Sequence, residues 1–274
     1  MKKSVNARIV SNRRIAPDHF VMEVKSVWLS RNSSPGQFVA VRARENATDP
    51  LLRIPLGVHA IRKKGIRLLY KVVGSGTKLL MSKRKGERIN ILGPLGNGFD
   101  LTPVFREKDS RAVIVAGGHG IAPLYELARV VTRGKKKVDF FIGAGTKKHV
   151  VCSKELRKLG AKVHVATEDG SMGHKGYVTD LLKKHLKQVK RYGTRVQGYR
   201  SRATIYACGP RPMLAALAKN AKRSGVPAQV SLDAYMACGI GACLGCVVRT
   251  VDGYRRVCKD GPVFDAREIV WESA

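Results

Sequence analysis

A chain of 274 residues with 44% apolar side chains has material for two packed units and a small appendage, which excludes disorder as the default. The 52 Lys and Arg against 20 Asp and Glu give +32, a balance that invites a nucleic-acid or membrane-surface reading. No apolar run approaches the roughly 18 residues of a membrane span, and no signal-peptide stretch follows the basic start, so a cytoplasmic protein is expected.

Residues from about 4 to 101 read as strands and turns. Val5–Val10, Phe20–Val24, Phe38–Val41, Ile66–Val73 and Ile89–Leu92 have strand composition. They are broken at Asn12-Arg13-Arg14, Ala16-Pro17-Asp18 and Pro35-Gly36-Gln37. A short helix is expected near Lys78–Lys83, and Gly93-Pro94-Leu95-Gly96-Asn97-Gly98-Phe99 is too rich in Gly and Pro for a regular element. Short strands at such intervals predict a small closed barrel. Within it, Arg53 could offer a fork of donors to a phosphate, and Thr77, with the N–H groups after Gly76, could cap one. Taken separately, these are a surface arginine and a hairpin turn.

From Arg111 the chain alternates strand and helix, which predicts a parallel sheet. Strands are expected at Ala112–Ala116, Lys137–Ile142, Lys162–Ala166, Ala203–Ala207 and Gln229–Leu232. Helices are expected at Ala122–Thr132, Thr179–Tyr192 and Pro212–Arg223, with a shorter one from Ser153, its cap, to Leu159. Gly117-Gly118-His119-Gly120-Ile121-Ala122-Pro123 stands where the first strand hands over to a helix. Glycine there lets backbone approach a pyrophosphate, although Pro123 replaces the last Gly of the dinucleotide fingerprint. His119 reads as a loop side chain. Cys208-Gly209-Pro210 repeats the arrangement at the fourth strand end, where Cys208 could face a nicotinamide or be a small buried hydrophobe.

Cys238, Cys243, Cys246 and Cys258 then follow with spacings x4, x2 and x11. The first two spacings are those with which plant-type ferredoxins wrap a 2Fe-2S cluster. Gly239, Gly241 and Gly245 are expected to supply the unusual backbone angles of such a loop. A four-cysteine zinc knot is the alternative. With four thiols clustered and Cys152 and Cys208 far apart, metal-bound cysteines in a reducing compartment fit better than disulfides. The charge is uneven: eight Lys and Arg and no acid lie between 181 and 202, whereas five basic residues meet six acidic ones from Ser231 onward. Nucleic-acid binding is therefore not the primary reading, although Tyr192 and Tyr199 leave RNA contact by 181–202 conceivable and an acidic partner remains open. A basic, zinc-stabilised nucleic-acid-binding protein is the distant alternative.

In this order the residues resemble the ferredoxin reductase-type flavoprotein family, and within it the electron-transfer subunits of dihydroorotate dehydrogenase B. Met236–Cys246, Gly93–Phe99 and Val257–Phe264 carry the likeness most specifically. The resemblance implies an FAD-binding β-barrel over residues 1–101, an α/β nucleotide-binding domain over 102–231 and a 2Fe-2S module over 232–274. It places flavin on Arg53, Ile54, Pro55, Leu56 and Gly57, on Leu69, Tyr70 and Lys71, and on the Gly76-Thr77 phosphate turn. Ile54 stands for the family's second Arg and Gly57 for its Ser, two departures from the pattern. NAD falls to Gly117, Gly118, Gly120, Pro123, Gly209 and Pro210, with Cys208 by the nicotinamide. Glu168 and Asp169 would repel a 2′-phosphate if they lined that pocket. The implied partner is an FMN-containing dihydroorotate dehydrogenase catalytic subunit in a heterotetramer. The flavin subunits of NAD(P)H–ferredoxin oxidoreductases and sulfhydrogenases share these features and are the second family reading.

Overall fold

The structure, a computed structural model, describes residues 2–44, 49–106, 108–193 and 203–271. The end of the basic stretch, with Arg195, Tyr199, Arg200 and Arg202, lies outside the described residues. The first unit comprises β1 (Lys3–Ala16), β2 (His19–Lys25), α1 (Val27–Asn32), β3 (Phe38–Arg42), β4 (Ile54–Arg62), β5 (Gly65–Lys71), α2 (Ser75–Ser82) and β6 (Arg88–Leu95). Its strands close into a barrel in the order β1-β2-β5-β4-β3-β6. Val24, Leu29, Val39, Val41, Val58, Ile66, Leu68 and Ile91 fill the inside.

Two local expectations change, and two elements, β4 and α1, had no expectation. Asn12-Arg13-Arg14 does not break β1, because Asn12 has partners across the barrel. Its amide donates to the Leu80 and Lys83 carbonyls at the end of α2 (2.8 and 3.0 Å), and Tyr70 donates to its oxygen at 2.9 Å. β6 continues through Gly93-Pro94, since Gly93 lies so close to Val39 that a Cβ would sit 2.7 Å from its Cγ1. Strand β4 is hidden in the sequence by Pro55, which pairs with Ala40 without offering a donor. Helix α1 is fixed by Ser26, whose Oγ accepts from the Leu29 N–H.

The second unit adds α3 (Thr102–Arg106), β7 (Arg111–Gly117), α4 (Ile121–Arg133), β8 (Lys137–Ala144), α5 (Ser153–Lys158), β9 (Lys162–Thr167), β10 (His174–Lys175), α6 (Val178–Gly193), β11 (Ala203–Cys208), α7 (Arg211–Ser224) and β12 (Ala228–Ser231). The tail contributes β13 (Val247–Thr250), β14 (Gly253–Arg256) and β15 (Val263–Asp265). The large sheet runs β10-β9-β8-β7-β11-β12-β15, parallel except where β15 lies antiparallel on β12. Cysteine-module residues thus complete the sheet of the nucleotide unit. Cys152 in the left-handed region (φ 60°), rather than Ser153, precedes α5. Among the described residues no helix is long and apolar enough to cross a membrane.

Helix α4 locks the two units together. Buried Glu126 pairs with Arg129 at 2.5 Å and accepts from the Ile61 N–H of β4 at 3.0 Å. Replacing it with leucine leaves the part-buried Ile61 N–H without its acceptor and the Arg129 guanidinium without its carboxylate, holding only the Ile61 carbonyl at 3.2 Å. Glu126→Leu is expected to cost about 2–3 kcal/mol, read from urea midpoints at unchanged slope.

Candidate flavin, nucleotide and cluster sites

A cavity of about 730 Å³ opens where the three regions meet. The barrel supplies Ile54, Pro55, Leu56, Gly57, Tyr70, Lys71 and Thr77. The sheet supplies Gly117, Gly118, Gly120, Pro123, Cys208, Gly209 and Pro210 at the carboxyl ends of β7 and β11. The cysteine module closes it with Met236, Val247, Val257 and Pro262. Three expected flavin residues do not line it, and neither do Cys238, Cys243, Cys246 and Cys258. Arg53 is tied back to the barrel by a 2.6 Å bond to Asn90 Oδ1, and Leu69 points into the core packed under α4. Gly76 lies behind the wall, where a Cβ would come within 2.8 Å of Ile54 Cδ1. Glu168 and Asp169 are also absent from the lining.

The phosphate turn is built differently from the expectation. Thr77 Oγ1 accepts from the Val73 and Gly74 N–H groups (2.9 and 3.1 Å) and donates to the Gly74 carbonyl at 3.0 Å. Its hydroxyl is therefore committed to shaping the turn. That leaves the first-turn N–H groups of the eight-residue α2 free of intrahelical acceptors. At the sheet, Gly120 packs so tightly on β11 that a Cβ would lie 2.1 Å from the Cys208 carbonyl oxygen. Burial pushes the Cys208 thiol up to about 12, so it is neutral and suited to packing rather than attack. Sequence reasoning missed His19 and His149 in the lining and did not give His119 a place there. His19 lies 6.0 Å from His119 and 6.2 Å from His149 between ring centroids. Burial holds His119 down at about 4, so its ring is neutral. Only its place in a glycine loop signalled it.

The cysteine loop turns through Gly239 (φ 69°) and Gly241 (φ 90°), as expected. The third left-handed position is Leu244 (φ 56°), not Gly245. Cys238 Sγ accepts from the N–H groups of Ile240 and Ala242 (3.4 and 3.3 Å), and Cys246 Sγ from Cys258 N–H at 3.4 Å. Burial opposes ionisation of Cys238, but the donors from Ile240, Cys243 and Ala242 prevail and bring its thiol to about 6. Cys258 moves the other way, to about 12, through burial and then the neighbouring Cys246. Cys238 thus favours the thiolate and Cys258 the neutral thiol, and a bound cation would favour the thiolate of both.

Two sequence stretches that stood out separately meet here. The Asn97 side chain donates to the Lys259 and Asp260 carbonyls, and Asn97 N–H bonds Gly261 O at 2.6 Å. Gly96 (φ 69°) permits the contact: a Cβ would lie 2.5 Å from Pro262 Cδ. The end of the barrel thereby grips the segment that carries Cys258.

Residues 233–270 match the family described as iron-sulfur cluster binding domain of dihydroorotate dehydrogenase B, and residues 114–219 match the oxidoreductase NAD-binding domain. An electron transfer subunit of dihydroorotate dehydrogenase B (NAD(+)) from Desulforamulus reducens is 37% identical over 99% of this chain and 100% of its own length. The chain belongs to that family. A second relative of the same name, from Geobacillus kaustophilus, is 40% identical over 96% of each chain. Among solved structures, an NADH-dependent reduced ferredoxin-NADP oxidoreductase studied for flavin-based electron bifurcation is 31% identical. It superposes with a TM-score of 0.80 over 98% of this chain and 91% of that one. A ferredoxin NADP+ reductase from Neisseria gonorrhoeae, at 17% identity and a TM-score of 0.65, covers 81% of this chain and 92% of its own and shares the fold. Membership makes this chain an electron-transfer subunit with an iron–sulfur module and an NAD-binding unit, and hence part of an oxidoreductase.

Proposed function

We propose that the chain relays electrons from an FMN-containing dihydroorotate dehydrogenase catalytic subunit to NAD+ in pyrimidine biosynthesis, in the cytoplasm and as a heterotetramer of two of each. The single cavity walled by the barrel, the two glycine-containing strand ends and the cysteine module carries this reading. When bound, a 2Fe-2S cluster supplies one-electron exchange and FAD the conversion to two-electron hydride chemistry with NAD+. Residues 1–101, 102–231 and 232–274 are assigned to FAD, NAD and the cluster.

Cys238, Cys243, Cys246 and Cys258 are the cluster ligands in this reading. Ile54, Pro55, Leu56, Gly57, Tyr70 and Lys71 would hold the flavin rings, and the free N–H groups at the start of α2 its phosphates. Arg53 acts through Asn90 as a brace for that wall. Gly117, Gly118, Gly120, Pro123, Gly209 and Pro210 admit the NAD backbone, with neutral Cys208 against the nicotinamide. The catalytic partner docks on the cysteine face, where Ile240, Leu244 and Tyr254 are exposed apolar side chains beside exposed Cys243.

Thr77→Val tests the phosphate turn. It removes three hydrogen bonds around Gly74, so about 1–2 kcal/mol of stability and most of the FAD retained through gel filtration are expected to go. The whole reading is tested by co-expression with the FMN subunit. Yellow-brown protein with iron, acid-labile sulfide and FAD that reduces NAD+ with dihydroorotate is the expected result. Rapid ferredoxin or polysulfide reduction without dihydroorotate activity would overturn it.

A further inference from the structure

On the sheet, away from the cavity, three side chains converge that the electron relay does not use. Asp139 comes from β8, His164 from β9 and His185 from α6, and one ligand atom of each lies within 4.8 Å of the others. His164 Nε2 stands 3.4 Å from Asp139 Oδ1 and His185 Nε2 3.7 Å from Oδ2. Asp139 is buried, and His185 Nε2 is a buried nitrogen without a hydrogen-bond partner. Phe141 fixes both rings, stacked on His164 at 4.5 Å and edge-on to His185 at 5.0 Å.

We propose that Asp139, His164 and His185 bind a divalent transition cation, of which zinc is the type, and thereby pin α6 to the sheet. Two imidazoles and one carboxylate suit zinc, cobalt or nickel and do not suit the all-oxygen preferences of magnesium or calcium. The ligand atoms need to close by at most about 1.3–1.8 Å, since ligands at about 2.1 Å from an ion stand roughly 3.0–3.5 Å apart. Arg111, 3.2 Å from Asp139 Oδ2, holds the oxygen that also faces His185 Nε2 and leaves Oδ1, beside His164, as the carboxylate's ligand atom. It orients the carboxylate as outer partners of metal ligands do. The fourth position is left to water. No cavity-lining residue belongs to the set.

The experiment uses the full chain carrying its iron–sulfur cluster and co-purified with its partner. After dialysis against zinc and then metal-free buffer, about one zinc per chain beyond the iron is expected in the wild type. His185→Gln and His164→Gln are expected to retain none while keeping iron content and NAD+ reduction. Cobalt in place of zinc is expected to give visible d–d bands without thiolate charge transfer. Zinc retention in the wild type no greater than in His185→Gln, or cobalt bands of thiolate character, would overturn the proposal. The cobalt spectrum of the wild type decides the matter alone if the variants fail to fold.

Discussion

Cys258→Ser is expected to abolish dihydroorotate-driven NAD+ reduction while leaving NADH oxidation by an artificial two-electron acceptor close to wild type. Cys258 is fully buried between the barrel end and β15, where its neighbours include Cys246. Serine offers no thiolate, so iron and the cluster's visible absorbance are lost together. A buried hydroxyl with no designed partner adds about 1–3 kcal/mol of destabilisation. The residues assigned to flavin and NAD lie on the barrel and the sheet, so the two-electron half reaction is expected to survive. Equal loss of both activities would mean that the module's fold, rather than its electron path, depends on Cys258.

Gly120→Ala is expected to keep the cluster and slow hydride transfer, and so to lower both activities. Its φ of −58° is ordinary, so backbone strain is not the cause. The added methyl would lie 2.1 Å from the Cys208 carbonyl oxygen and 2.7 Å from Gly209 N, both backbone atoms that cannot rotate away. The gap between β11 and the start of α4 must widen, at about 1–3 kcal/mol in stability. A displacement of about 1 Å between nicotinamide and flavin sites lowers hydride transfer by about 100-fold. Iron content and cluster absorbance stay unchanged, since no cysteine ligand is touched. Stopped-flow reduction by NADH measures the first effect and the visible spectrum the second. The two variants thus separate the one-electron end of the chain from the two-electron end.

Local signals carried the parts of this protein that local physics builds. The alternation from Arg111 onward gave the three long helices and strands β7, β8, β9, β11 and β12, though not the short β10 and β15, because hydrophobic period and flanking glycine act within a few residues. The glycines of the cysteine run gave the left-handed turns at Gly239 and Gly241 for the same reason. Misreadings arose where a partner distant in sequence overrode local propensity. Asn12 keeps β1 extended through bonds to Leu80 and Lys83, and Ala40 takes Pro55 into a strand. Leu244 bears the left-handed angle that composition had assigned to Gly245.

The sequence by itself determined the chemistry available: four thiols at cluster spacing, two glycine-containing strand ends and a barrel before them. Only the tertiary structure decided which side chains share a space. It turned Arg53 to Asn90 and Leu69 into the core, spent the Thr77 hydroxyl on its own turn and brought His19, His119 and His149 to one wall. It also laid β15 against β12 and closed Asn97 onto the segment before Pro262, fixing Cys258 beside the cavity. The physical reason is that spacing constrains neighbours along the chain. Convergence of distant segments depends on register, burial and the close approach that Gly96 and Gly120 allow.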